Sequence, residues 1–147
     1  MKKQFVINFV ANYIAVDLGT KSLGIATSNG IIITPRITFF FKAHDFKSCS
    51  KYLVKFCQKI KAHTLVIGVA KHNQKISKQE QAAKKLANLV KKNITIKIIF
   101  WDESFSSFQA QEILNQKKYN LSAKKNKIDQ IAAVQILQSY FHNFKNR

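Results

Sequence analysis

The sequence predicts an α/β domain: a mixed sheet of five strands with helices on both faces, in the order β-β-β-α-β-α-β-α-α. Two observations carry this. Short apolar runs bounded by rare glycines read as strands, and the last of these alternate with segments of helical spacing. The chain has 147 residues, 46% hydrophobic and 12% aromatic, which suits one domain with a real core over residues 1–147 and a short N-terminal extension over 1–11.

Tyr13 to Leu18 and Leu23 to Ser28 are the first two strands. Asn29-Gly30 follows, a hairpin signal that predicts a type I′ turn with positive φ at both positions. Ile31 to Phe41 is the third strand, disturbed at Pro35. Phe46 to Ala62 has helical spacing with Tyr52, Leu53, Phe56 and Ile60 on one face. Thr64 to Val69 is a short buried strand. Ser77 to Lys92 is a helix with Ala82, Ala83, Leu86, Leu89 and Val90 inward, and Ile94 to Trp101 a further strand. A helix begins at Ser106, where Gln109 completes a capping box. A lysine-rich loop, Lys117 to Lys127, leads to a final helix over Ile128 to Phe144.

The charge is lopsided. There are 25 Lys+Arg against 7 Asp+Glu, a formal net of +18, which points to a polyanionic partner. Arg36 and Arg147 are the arginines, so 23 of the basic residues are lysines. Lysine suits contacts to phosphates, whereas bidentate reading of bases favours arginine. Cys49 and Cys57 form no metal or redox motif and read as reduced thiols in or near a helix. The start resembles a signal peptide superficially, but Asn8 and Asn12 interrupt its apolar run, and no stretch is apolar enough to span a membrane.

In so basic a chain the acids are informative. Asp17 ends an apolar strand and is followed by Gly19 and Gly24, which let something approach the backbone closely. The competing explanation is an aspartate capping a Gly-Thr turn. Asp102 and Glu103 follow Ile98 to Trp101, at the carboxyl end of a strand where open α/β sheets bind ligands. Glu103 is favoured as the ligand with Asp102 supporting it; a solvated pair is the alternative. Asp129 extends a helical stripe of Ala132, Ile136 and Tyr140 and therefore faces the sheet. Its alternative is a first-turn acid at the helix dipole with Asn126 as N-cap. Carboxylates that converge repel one another, and a divalent cation removes that cost. Two Mg²⁺ or Mn²⁺ ions about 4 Å apart would clamp the attacking and leaving oxygens of a phosphodiester.

These residues resemble the YqgF family, described both as Holliday junction resolvases and as pre-16S rRNA nucleases, within the RNase H-like superfamily. The resemblance covers Tyr13 to Phe144. It rests on Ala15-Val16-Asp17-Leu18-Gly19-Thr20-Lys21 with Gly24-Ile25-Ala26, Thr34-Pro35, Val66-Ile67-Gly68-Val69, Asp102-Glu103-Ser104-Phe105-Ser106-Ser107 with Ala110, and Asp129-Gln130-Ile131-Ala132-Ala133-Val134-Gln135-Ile136-Leu137. It implies an RNase H-like fold, a metal-dependent nuclease site on Asp17, Glu103 (or Asp102) and Asp129, and a cytoplasmic role in maturing the 5′ end of 16S rRNA. The partners it implies are pre-rRNA, branched DNA and ribosomal particles.

The chain departs from the family at Ser22 and Ser104, where arginines are usual, and at Ala70, where proline is usual. Lys21 and Lys71 are the lysines placed to compensate, and Lys117, Lys118, Lys124, Lys125 and Lys127 are further candidates for phosphate contact. His72 reads as a surface histidine. Two other functions compete. An actin-like nucleotide binder shares the Asp17 to Gly24 pattern but needs two domains and a second glycine-rich loop. A non-catalytic RNA- or ribosome-binding protein would keep the charge without needing the acids.

Overall fold

The computed structural model describes residues 13–69, 77–102 and 121–145. Five strands form one sheet: β1 (Tyr13–Leu18), β2 (Ser22–Ser28), β3 (Ile33–Phe40), β4 (Thr64–Val69) and β5 (Lys97–Asp102). Their spatial order is β3-β2-β1-β4-β5, antiparallel from β3 to β1 and parallel from β1 to β5. Helices α1 (Phe46–Ile60) and α2 (Lys78–Lys91) cover one face, and α3 (Leu121–Lys145) covers the other.

Strand alternation divides the core in two. Ile14, Val16, Leu18, Leu23, Ile25, Leu65 and Ile67 pack beneath α1 and α2. Ala15, Ala26 and Val66 face α3 and meet Ala133, Ile136 and Leu137. The small residues on this second face let the helix lie close to the sheet. Two connections tie its middle to the two edge strands: Gln130 Nε2 donates a long hydrogen bond to Thr38 Oγ1 on β3 (3.5 Å), and Trp101 Nε1–H on β5 donates to Ser139 Oγ (2.9 Å). α3 thus spans the sheet from edge to edge.

Several expectations are corrected. The segment expected to be a lysine-rich loop is helical from Leu121, so Asn126 lies inside α3 and is not its N-cap. Lysine, leucine and alanine are good helix formers, and this segment contains no proline or glycine to break the helix. The β2–β3 turn is not type I′. Gly30 has φ +97, but Asn29 is not among the positive-φ residues. Instead the Asn29 side-chain oxygen accepts the Ile31 and Ile32 N–H groups, and β3 starts only at Ile33. The register of β3 shifts between the pairs Ile25–Ile37 and Ala26–Pro35, skipping Arg36. Proline is tolerated there because β3 is an edge strand. β5 starts at Lys97, because the Ile94 N–H bonds back to Val90 O at the end of α2.

On α1 the deepest residues are Cys49, Leu53 and Cys57, while Tyr52, Phe56 and Ile60 are half-buried. The aromatics lean sideways: Tyr52 stacks on Phe39 of β3 at 4.0 Å. Cys49 and Cys57 are free and buried, and burial pushes both thiols up to about 12. Ser77 is the N-cap of α2, its Oγ accepting the Glu80 N–H. The helix expected at Ser106 and the extension over 1–11 lie outside the described residues.

Candidate active site

β1 delivers Asp17 to the α3 side of the sheet, because Tyr13 and Ala15, of the same parity, pack against α3. Its ladder neighbours are Gly24 on β2 and Gly68 on β4. Flanked by two residues without side chains, the half-buried Asp17 carboxylate is not crowded from within the sheet.

Helix α3 reaches the same spot through Gly24. A Cβ there would stand 2.2 Å from the Asp129 carbonyl oxygen, 2.4 Å from its carbonyl carbon and 2.8 Å from its Cβ. Only glycine admits a helix backbone so close to a strand. Gly24 lies directly opposite Asp17, a pairing that sets Cα atoms about 4.5–5.5 Å apart. Asp129, only 6% exposed, is therefore held beside Asp17. It heads the stripe expected from sequence, with Ala132, Ile136 and Tyr140 all buried. Residues that sequence reasoning missed are Thr38 and Gln130, whose hydrogen bond steadies this part of α3; nothing local marks a contact between positions so distant in the chain.

The acids after β5 divide. Asp102 is exposed and has the parity of Ile98, which packs on the α1–α2 side, whereas Ile99 and Trp101 face α3. By parity Asp102 therefore leaves the end of β5 on the side opposite to that of Asp17. Glu103 lies outside the described residues. Among the described residues no three His, Cys, Asp or Glu side chains gather as a metal site. The pair of Asp17 and Asp129 nevertheless fits a hard divalent cation: both donors are carboxylates, and their mutual repulsion favours a cation between them.

Lys21 is exposed in the turn between β1 and β2. That turn is braced by Gly19 N–H to Ser22 O (2.7 Å), Phe41 N–H to Lys21 O (3.0 Å) and His44 N–H to Thr20 O (2.8 Å). Lys127 is exposed on α3, two residues before Asp129. Lys71, His72, Lys117 and Lys118 lie outside the described residues, as do the side chains of Lys124 and Lys125, whose backbone belongs to α3. A cavity of about 550 Å³ is lined by Leu18, Thr20, His44, Phe46, Lys78 and Lys85, and among the described residues no carboxylate lines it.

The arrangement is an RNase H-like sheet with an acid on its first strand and another on a helix laid across it. A family model described as "RuvX: Holliday junction resolvase" matches residues 11–143. The chain belongs to the RuvX family. This agrees with the YqgF resemblance. Two RuvX relatives, from Mycoplasmoides gallisepticum and the Aster yellows witches'-broom phytoplasma, bear the name "Putative pre-16S rRNA nuclease". The first is 34% identical over 133 residues, covering 88% of this chain and 94% of the relative. The second is 34% identical over 141 residues, covering 90% and 89%. Two solved structures share the fold. A Fowlpox virus resolvase in complex with Holliday junction DNA superposes with a TM-score of 0.55 at 14% identity, covering 90% of this chain and 97% of the other. T. thermophilus RuvC with a Holliday junction substrate gives 0.52 at 10% identity, covering 90% and 96%. Among the described residues no helix is long and apolar enough to cross a membrane.

Proposed function

We propose that this chain is a single-domain, metal-dependent nuclease that cleaves phosphodiester bonds of pre-16S rRNA near its 5′ end, acting in the cytoplasm on precursor ribosomal particles. The observation that carries this is the packing of Asp129 onto Gly24, which holds a buried helix carboxylate beside Asp17. Asp17, Asp129 and Glu103 are the residues assigned to hold Mg²⁺ or Mn²⁺, two ions in the complete site. Glu103 is favoured over Asp102, whose β5 parity matches that of Ile98 on the α1–α2 side. Ions held by these carboxylates would supply Lewis-acid chemistry, lowering the pKa of a bound water and offsetting charge on the leaving oxygen. The chain's own contribution is to fix the two aspartates on rigid elements and to bring phosphates to them with Lys21, Lys127 and the other lysines nominated above. The names of the relatives support RNA as substrate. The family description supports a second reading, resolution of branched DNA.

The test incubates labelled pre-16S 5′-leader RNA and a four-way DNA junction with the protein and Mg²⁺ or Mn²⁺. The RNA is cleaved, and Asp17→Asn, Asp129→Asn or Glu103→Gln abolishes cleavage while Asp102→Asn keeps it. Cleavage of the junction alone favours the second reading. Wild-type activity in Asp17→Asn, or no cleavage of either substrate with either metal, refutes the nuclease.

A further inference from the structure

Helix α1 carries an unusual surface. Lys47, Lys51, Lys55 and Lys59 are all exposed and fall at successive i, i+4 positions, about 6 Å apart along the axis. Like charges at this spacing oppose the helix, yet α1 contains no acidic residue to offset them. The nearest acid in sequence, Asp45, is the N-cap; its carboxylate accepts the Ser48 N–H and Oγ–H and, of the four lysines, feels Lys51. The stripe forms a ridge between two shallow grooves. One, of about 660 Å³, runs toward α2 and adds Lys92 and Asn93. The other, of about 420 Å³, runs toward β3 and is lined by Arg36, Tyr52 and Phe56, with the Arg36 guanidinium 5.8 Å from the Phe56 ring centre. Among the described residues no carboxylate lines either groove.

α1 packs on the face of the sheet opposite α3, so this ridge is remote from Asp17 and Asp129. We propose that the α1 lysine ladder, with Arg36 and Lys92 at its flanks, is a second nucleic-acid interface that follows the phosphate backbone of an RNA held on the side away from the acids. Four point charges repeating along one line match a polyanion's backbone, and exposed lysine recognises phosphate without reading bases. A membrane surface fits less well, because the most apolar residues of α1, Phe46, Leu53 and Val54, are buried in the core and its fully exposed positions include all four lysines. The inference rests on the nucleic-acid reading of the chain but not on its chemistry.

The test is binding in EDTA, where no cleavage occurs. Fluorescence anisotropy of labelled pre-16S 5′-leader RNA is followed over a salt series for the wild type and for K47Q/K51Q/K55Q/K59Q, glutamine being as good a helix former as lysine. The log–log salt slope falls in magnitude by about three, and affinity near physiological salt falls about tenfold or more. The four Lys→Arg replacements restore the slope. Should the quadruple variant not fold by circular dichroism, K51Q/K55Q is measured instead and loses about half as much slope. Parallel salt slopes for variant and wild type overturn the proposal, whether or not the wild type cleaves. A slope change with a four-way DNA junction but none with RNA overturns the assignment to RNA. Loss of binding to phosphatidylglycerol vesicles with no change toward RNA identifies a membrane face and overturns it as well. With metal restored, a short oligonucleotide is cut by the variant at the wild-type rate.

Discussion

Replacing Gly24 by alanine tests the geometry of the acid pair most directly. The new Cβ would stand 2.2 Å from the Asp129 carbonyl oxygen, whereas a relaxed carbon–oxygen contact is about 3.3 Å. α3 must therefore retreat by about 1 Å at Asp129. The neighbour that must give is helix backbone, tied to β3 through Gln130 and to β5 through Ser139. Overpacking of this kind costs about 1–3 kcal/mol. For a chain of this length that lowers the melting temperature by about 3–9 °C. The effect on cleavage is larger, because a 1 Å misplacement of a catalytic group costs about a hundredfold in rate. Gly19→Ala is the matched control, since its Cβ meets chiefly the rotatable Ser22 Oγ, at 3.0 Å. Both variants are assayed by differential scanning calorimetry and by Mn²⁺-dependent cleavage of leader RNA. If Gly24→Ala melts with the wild type and cleaves at its rate, α3 does not press on β2 and Asp129 is not held beside Asp17.

Two further outcomes concern α1. Lys61 closes the helix in the left-handed region, φ 55, with its N–H bonded to Cys57 O and Gln58 O. Lys61→Gly removes that strain and raises stability by about 0.5–1 kcal/mol, read as a higher melting temperature. Hydrogen bonds from the Ser48 Oγ–H and then the Ser48 N–H hold the Asp45 carboxyl below its ordinary value of 3.8. A depressed folded pKa means stability that is present above the unfolded value and lost as pH falls through the folded one. Asp45→Ala therefore melts lower than wild type at neutral pH, and the gap narrows well below pH 3.8; an equal gap at both pH values would show that the carboxylate charge is irrelevant.

Much of this molecule was legible from its sequence. Sparse glycines bound short apolar runs, so the strands and their mixed order could be drawn. Asp129 stood out because an acid on an apolar stripe must face something, and the structure buries it. The errors have local causes. Ile94 and Ile96 look like strand, but Ile94 bonds back to the end of α2 and both precede β5. The lysines before Ile128 look like loop because their dense charge masks a high helix propensity. On α1 the aromatic stripe drew attention, yet the smaller Cys49 and Cys57 approach the sheet while Tyr52 reaches across to Phe39. The site was less legible than the fold. Gly24 was recognisable as a place of close approach, but what approaches it depends on where α3 crosses the sheet. The bonds that set that crossing, Thr38 to Gln130 and Trp101 to Ser139, join positions far apart in sequence.

The seating of α3 on Gly24 also has a consequence in time. A ribosome delivers β1, β2 and β3 early, and the face of the sheet bearing Asp17 and Gly24 can form while Asp129 is still to be translated. α1, with its lysines, emerges in that first half as well. The two aspartates therefore become neighbours only after the last described helix has been made and has docked. A chain made only as far as α1 carries the lysine stripe without the paired acids, so the basic and acidic features of this molecule arise at different moments of its synthesis.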